Sequence, residues 1–434
     1  MAIDLRLLRN DPDCVADSLA RRGARVVLPS GKVIVSGDGA IDLEYLRELD
    51  NENRRLISEV DEARSERKRA SKAIARLSEG ERADAVARNK EVAEGLKALE
   101  QHQSELQEQL YSALRLLPNL VHPQAPPGKG DEASRLVRQA GNIPSFEFDP
   151  QDHLSLGESL GIIDVKRAAK VSGSRFAFLR GSAALLQTSL IRFVLDRLGA
   201  EGFVPVVPPV LVREQAMYGT GFFPTDEAQV YKTADDDLYL VGTSEVPIAS
   251  MHADETFDAA ELPLRYAGIS TCFRREAGTY GKDTRGIIRV HQFDKVEMFS
   301  FCLPSESNDE HRRLVELEEG IFAALEVPYR LVEIAAGELA DPNYRKFDIE
   351  AWLPGGDRWL EVTSCSNDWD YQARRLGIKV RGEGGTEMVH TLNGTAIAIG
   401  RAIVALLENH QQADGSVAIP EALQPYTGFD QIVP

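Results

Sequence analysis

From Leu46 the apolar positions step along the chain by three and four: Leu46, Leu49, Asn53, Leu56, Val60, Ala63, Arg67, Ala70, Ile74 and Leu77. The pattern breaks at Ser78-Glu79-Gly80 and resumes as Ala85, Asn89, Val92, Leu96, Leu99, Gln103, Leu106, Leu110, Ala113 and Leu117. A seam that repeats every ~3.5 residues marks a coiled coil, and a short break between two such runs makes the helices antiparallel neighbours. The spacing predicts a helical hairpin over about 42–117, each limb ~45–55 Å long at about 1.5 Å per residue. Residues 1–40 read as a small helical base, with Asp11-Pro12 as a helix start and Gly23 as a stop.

Past the hairpin the pattern changes. PNLVHPQAPPGKGDEAS, at 118–134, is rich in proline and glycine and reads as a linker. Beyond it FVPVVPPVLV, LYLVGTS, YRLVEIAAG and FDIEAWLP alternate with few long helices. These runs predict an α+β domain over 135–434, built on a largely antiparallel sheet flanked by helices. The division is therefore 1–117, a linker, and 135–434. Pro208 and Pro209 remove ladder donors, so the strand after helix 184–200 belongs at an edge or an interface. No repeat, GxGxxG or GKS/T loop is present, which leaves a Rossmann or P-loop nucleotide site without support.

At 434 residues, with 43% hydrophobic and 27% charged, the composition is that of an ordinary soluble protein of two domains. The opening MAIDLRLLRNDPD carries acids early and no long apolar run, and no stretch of ~20 apolar residues follows. A cytoplasmic protein with no membrane segment is expected. Cys14, Cys272, Cys302 and Cys365 are far apart and form no CxxC, so neither a disulfide framework nor a zinc site is expected. Cys365 reads as a buried, inert thiol. The net charge of −18 argues against general affinity for nucleic acid, yet phosphate binding depends on local charge. Toward the hairpin tip Arg64, Arg67, Lys68, Arg69, Lys72 and Arg76 gather on the first helix, with Arg82, Arg88 and Lys90 opposite. Such a run is ordinarily a solvated face. Arg67, at a seam position that packing would give to an apolar residue, favours an arm that reaches phosphates.

Residues 273–302, FRREAGTYGKDTRGIIRVHQFDKVEMFSFC, read as two strands joined by a polar loop. Alternation puts Arg274 and Glu276 on one face of the first strand, and Phe293 and Glu297 on one face of the second. A cation, an aromatic plate and two carboxylates suit a nucleotide's phosphate and base. A salt-bridged surface hairpin fits the same charges. FRxE, a loop and then RVHQFDKVE resemble motif 2 of the class II aminoacyl-tRNA synthetases, in the form carried by the seryl-tRNA synthetases. VGTSEVPIAS at 241–250 is similar to that family's TxE serine loop, and TLNGTAIAIGRAIVALLENHQ at 391–411 to its motif 3. EVTSCSNDWDYQARR at 361–375 resembles a further signature, and helix 184–200 with GFVPVVPPVL resembles motif 1. The resemblance runs over essentially the whole chain.

It implies a ligase that activates L-serine with ATP to seryl-adenylate. The seryl group then passes to the 3′ end of tRNA(Ser) and, where it exists, tRNA(Sec). A carboxylate nucleophile is already an anion, so the reaction needs positioning and charge neutralisation at phosphorus rather than a base. Arginines and Mg²⁺ supply that charge. By resemblance the catalytic residues are Arg274 and Arg401. ATP would be held by these with Arg275, Glu276, Phe293, Glu361, Val362, Thr363 and Ser364. Glu276 would read the adenine amino group, Phe293 would stack under the base with Arg401 above, and Glu361 and Ser364 would hold Mg²⁺. Serine would be bound by Thr243, Ser244, Glu245, Arg274, Glu297 and Thr395. Thr395 stands where the family often has serine in LNGSG, and it keeps the hydroxyl. The basic cluster on the arm would grip the long variable arm of the tRNA, Lys282 and Arg285 would approach the acceptor end, and motif 1 would form a homodimer contact. A ligase that loads a carrier protein would lack the arm, and a non-catalytic coiled-coil scaffold would tolerate loss of Arg274, Glu297 and Arg401; the chain has all of these.

Overall fold

In the computed structural model the described residues are 3–23, 26–28, 31–35, 41–75, 77–278, 285–382 and 384–434. The chain divides into two compact units, Met1–Leu120 and Val121–Pro434.

In the first unit Asp11 and Gly23 bound a helix, as their chemistry predicts. The Asp11 carboxylate accepts from the Cys14 amide at 3.1 Å at the start of α1 (Pro12–Arg22). The helix stops at Gly23, whose φ of 58° is left-handed and open to glycine. The seam forms α2 (Glu44–Ile74) and α3 (Glu79–Arg115), 31 and 37 residues long. The break falls at 75–78 rather than at Ser78-Glu79-Gly80. Ser78 is the N-cap of α3 and its hydroxyl meets the Glu81 carboxylate at 2.6 Å. Gly80 then lies in the first turn, where amides need no intrahelical partner. Leu46, Leu49, Asn53, Leu56 and Val60 are buried, as are Leu96 and Leu110 across the seam. Arg9 anchors the base to α2 through Asp50, which is 1% exposed, at 2.5 Å. Toward the tip Ala63, Ala70 and Ile74 are only half-buried and Arg67 is exposed. Arg67 is thus not packed in the seam: a guanidinium keeps its charge in water wherever the seam offers no partner.

The second unit centres on an eight-stranded sheet. Its strands are β1 (Arg135–Ala140), β2 (Val204–Val206), β3 (Leu264–Phe273), β4 (Gln292–Cys302), β5 (Tyr329–Glu333), β6 (Arg345–Leu353), β7 (Arg358–Trp369) and β8 (His390–Ala398). Their order is β1-β5-β6-β7-β8-β4-β3-β2, and only β2 and β3 run parallel. β2, followed by the Pro208-Pro209 pair, is an edge strand, as missing ladder donors require. One face is covered by α4 (Ser182–Ala200), α5 (Ser307–Ala324) and α6 (Ile399–Asn409), whose Leu190, Phe193, Phe322 and Leu406 pack with Val296, Met298 and Leu392. On the other face Phe299 and Phe301 join Ile248, Phe257 and Ile378 in a smaller cluster. Val121 and Ala125 are buried with Ala336 and Leu339. Among the described residues no helix is long and apolar enough to cross a membrane.

Candidate active site

The face of β4 opposite the large core opens into a cleft of about 370 Å³. Alternation along β4 sends Val296 and Met298 into the core and puts Phe293, Lys295 and Glu297 in the cleft wall. Phe299 and Phe301 continue the same row beneath the smaller cluster. β3 ends at Phe273, so Arg274 and Glu276 do not share a strand face; they reach the cleft from the loop beyond it. Glu276 has a φ of 52°, an unusual backbone for a side-chain-bearing residue and one that concentrates at functional sites. Its carboxylate accepts from Arg289 Nη1 at 2.6 Å. The Arg274 guanidinium lies 5.3 Å from the centroid of the Phe293 ring. Arg401, in the first turn of α6, instead donates from Nη1 to the Glu361 carbonyl at 2.7 Å and to its carboxylate at 3.0 Å.

Glu361 and Ser364 are three residues apart and would face opposite sides of a regular strand. They do not, because the register slips at Ile349/Glu350: Ile349 pairs with Thr363 and Glu350 with Glu361, leaving Val362 as an extra residue. Both therefore line the cleft. Val362 and Thr363 also border the cleft, although the Val362 side chain joins the core and the Thr363 hydroxyl donates to Glu318 Oε2 at 2.8 Å. Desolvation would raise the Glu361 pKa, but Lys346, Arg401 and Arg274 outweigh it and hold the carboxyl below its ordinary value. Asp348, opposite Ser364 and 3.1 Å from Lys346 Nζ, is pushed up to about 7, mainly by burial. No group of three or more His, Cys, Asp or Glu side chains converges as a metal site among the described residues.

The far end of the cleft is acidic and hydroxylic. A second register slip, at Val296/Glu297, sets Thr395 directly opposite Glu297, and the Thr395 hydroxyl donates to Glu297 Oε2 at 3.4 Å. Glu297 is 1% exposed. Lys295 pairs with the same carboxylate and donates to Thr243 Oγ1 at 2.9 Å. Glu245 accepts from Gln372 Nε2 at 2.7 Å, and Gln372 in turn accepts from the Thr391 hydroxyl at 2.9 Å. Burial, then Asp368 and Glu297, push the Glu245 carboxyl up to about 8. Asp368 is held by Asn343 and Asn393, each at 2.8 Å.

The cleft brings together Thr243, Glu245, Arg274, Glu276, Phe293, Glu297, Glu361, Val362, Thr363, Ser364, Thr395 and Arg401. Two expected residues are not in its wall. Ser244 is fully buried with its hydroxyl 3.5 Å from the Gly268 carbonyl, and a Cβ at Gly268 would come within 2.6 Å of that oxygen. Arg275 is exposed, its amide tied to the Gln229 carbonyl at 2.8 Å. Sequence reasoning missed Lys295, Arg289, Lys346 and Asn393. Lys295 carried a signal, the alternation it shares with Phe293 and Glu297; Arg289, beyond the strand, carried none. Cys365 is buried and its thiol is pushed far up by desolvation, as an inert cysteine should be. On the arm Arg64, Arg67, Lys68 and Lys72 line a groove with Leu96 and Glu100, and Arg64 pairs with Glu100 at 2.9 Å. Arg69 and Arg285 are exposed, while Arg76 and Lys282 lie outside the described residues.

Residues 2–121 match the family model "Seryl-tRNA synthetase N-terminal domain", and residues 229–410 match "tRNA synthetase class II core domain (G, H, P, S and T)". The chain is 48% identical over 433 residues to a serine–tRNA ligase of Rhodococcus jostii, covering all of both proteins. It is 49% identical over 432 residues to one from Acidothermus cellulolyticus, covering 100% of this chain and 99% of that one. Among solved structures it is similar to seryl-tRNA synthetase from Pyrococcus horikoshii complexed with ATP, with a TM-score of 0.90 and 41% identity over 100% of this chain and 99% of that one. It is also similar to the cytoplasmic serine–tRNA ligase of Naegleria fowleri in complex with AMP, with a TM-score of 0.85 and 30% identity over 99% and 97% of the two chains. With matches that run through arm and catalytic unit alike, the chain belongs to the seryl-tRNA synthetase family of class II ligases.

Proposed function

We propose that the Val121–Pro434 unit joins L-serine to ATP in this cleft and that the seryl group then passes to the 3′ end of tRNA(Ser), with tRNA(Sec) as a second acceptor. One observation carries the reading: a single cleft has a cationic end at Arg274, Arg401 and Lys346 and an acidic, hydroxylic end at Glu297, Thr243 and Thr395. That polarity matches serine laid against a triphosphate. In the first step a serine carboxylate oxygen bonds to the α-phosphorus while the bond from that phosphorus to the pyrophosphate oxygen breaks. The nucleophile arrives ionised, so the step calls for positioning and charge neutralisation rather than a general base. Arg274 is placed to offset charge growing on the α-phosphate, and preorganised donors of this kind lower the barrier without reorganising. Phe293 offers a plate for adenine and Glu276 an acceptor for its amino group.

Thr243 and Glu297 suit the serine ammonium, and Thr395 with Glu297 suits the hydroxyl. Alanine would leave Thr395 and Glu297 short of a partner, so it is rejected more strongly than a lost methyl group could achieve. Glu361 and Ser364 fit Mg²⁺: both are hard oxygen donors, the bulge at Val362 turns them to one side, and neighbouring cations keep Glu361 ionised. Bound there with phosphate oxygens and water, the ion would neutralise charge on the phosphates. The exposed arginines and lysines of the arm support contact with the variable arm of the tRNA. Arg285 supports approach of its acceptor end. Leu185 and Val204, both 55% exposed, and Val207, 78% exposed, support a homodimer contact along α4 and β2. Serine-dependent pyrophosphate exchange, followed by charging of purified tRNA(Ser), tests the whole reading; exchange with another amino acid in place of serine would overturn it.

A further inference from the structure

The row on β4 has a middle member with no role in that reading. Lys295 is 6% exposed and sits between Phe293 and Glu297, two residues or ~6.7 Å of strand from each. Its ammonium donates to Thr243 Oγ1 at 2.9 Å and pairs with the Glu297 carboxylate. These are the two groups assigned above to the ammonium of serine. A primary ammonium belonging to the chain itself sits on both groups. We infer that Lys295 is a tethered stand-in for the serine ammonium: serine displaces it from Thr243 and Glu297, and the displaced ammonium pairs with the serine carboxylate on the side toward Phe293.

The inference rests on the serine site proposed above, and charge balance carries it. Two ammonium groups on one buried carboxylate repel each other, so the seat holds one at a time. Serine brings an anion along with its cation, so Lys295 exchanges one carboxylate partner for another and no buried charge is left bare. Of the other carboxylates around it, Glu245 accepts from Gln372 and Asp368 from Asn343 and Asn393, while Glu318 accepts from Thr363 at Oε2 and has no hydrogen-bond partner at Oε1 among the described residues. An amine without a carboxylate has nothing to offer the displaced lysine. Lys295 thereby couples recognition of the two ends of the amino acid, and it joins Arg274 at the carboxylate that reacts.

Ethanolamine, which has the ammonium and hydroxyl of serine but no carboxylate, separates the ideas. Binding of serine and of ethanolamine is measured by titration calorimetry on the full chain, on Lys295→Met and on Lys295→Gln, with thermal melting and ATP binding as checks of folding. Removing the lysine charge is expected to tighten ethanolamine binding and weaken serine binding, so that the preference for serine shrinks by about tenfold or more in both variants. A lysine that merely props up Glu297 would change both ligands alike, and an unchanged preference in whichever variant melts like the parent overturns the inference. Serine-dependent pyrophosphate exchange by the unmodified protein is run alongside. Its absence would refute the serine site itself, whereas normal exchange with an unchanged preference refutes only the role of Lys295.

Discussion

Replacing Glu297 with glutamine keeps the shape of the side chain and removes its charge. The consequence can be worked out from what surrounds it. Glu297 is 1% exposed, pairs with Lys295 and accepts from Thr395. Breaking a buried pair by neutralising one member costs about 3–5 kcal/mol, and the amide oxygen that remains as an acceptor places this variant at the low end, about 3 kcal/mol. The loss for serine is separate. A charge-assisted hydrogen bond to the ammonium or hydroxyl contributes about 1.5–3 kcal/mol, which corresponds to about 10- to 150-fold in kcat/KM for serine. ATP should feel little, because Phe293 lies four residues away along β4, or ~13 Å. The assay is serine-dependent ATP–pyrophosphate exchange with each substrate varied in turn, run beside urea denaturation. Serine KM should rise steeply while ATP KM changes by less than about threefold. An unchanged serine KM with a weakened ATP interaction would place Glu297 in the nucleotide site and refute the reasoning.

Arg274→Ala should lower pyrophosphate exchange by about 100-fold or more while melting stays unchanged, since Arg274 sits at the loop end of β3 and carries no core packing; near-normal exchange would remove it from the reacting centre. Deleting residues 62–92 and closing the hairpin with a short turn keeps Leu46, Leu49 and Leu56 opposite the lower part of α3, so seryl-adenylate should still form while tRNA charging collapses. Every phosphate that the shortened arm no longer neutralises should also reduce the magnitude of the log–log salt slope of tRNA binding by about 0.7–0.9, and charging that survives the deletion at two salt concentrations would make the cluster a solvated face. Glu245, raised from 4.5 to about 8 by burial and by Asp368 and Glu297, keeps its proton in the folded state over a range where the unfolded chain has lost it. Stability from this group is therefore complete below pH 4.5 and is lost as pH rises toward 8, at up to about 1.4 kcal/mol per pH unit. Glu245→Gln should flatten that slope in denaturation measured from pH 5 to 8, and an identical slope would mean that Glu245 titrates normally.

Much of this protein is written in local periods. The three-four seam of 46–117 needs no tertiary information, because helical geometry alone puts those positions on one side. Alternation along 292–302 likewise assigns Phe293 and Glu297 to one face, and Asp11 and Gly23 mark the two ends of α1. Two features of the arm escaped the pattern: Ser78 is the N-cap of α3, so Glu79 and Gly80 belong to the helix rather than to the break, and Arg67 left the seam for water. What only the tertiary structure decided is how distant segments meet. Val362 becomes a bulge because β6 and β7 fall out of register, and that slip turns Ser364 toward Glu361. Thr395 faces Glu297 through a second slip, ninety-eight residues along the chain from its partner. Ser244 and Arg275 have the same residue types as their neighbours in the site, yet one is sealed against Gly268 and the other points to solvent. Lys295 reads in the sequence as one more charge on a strand; burial against Thr243, fifty-two residues away, makes it the ammonium that the serine seat already holds. Periodicity selects the face a side chain takes, but burial and register, which depend on segments far apart in the chain, decide what that side chain meets there.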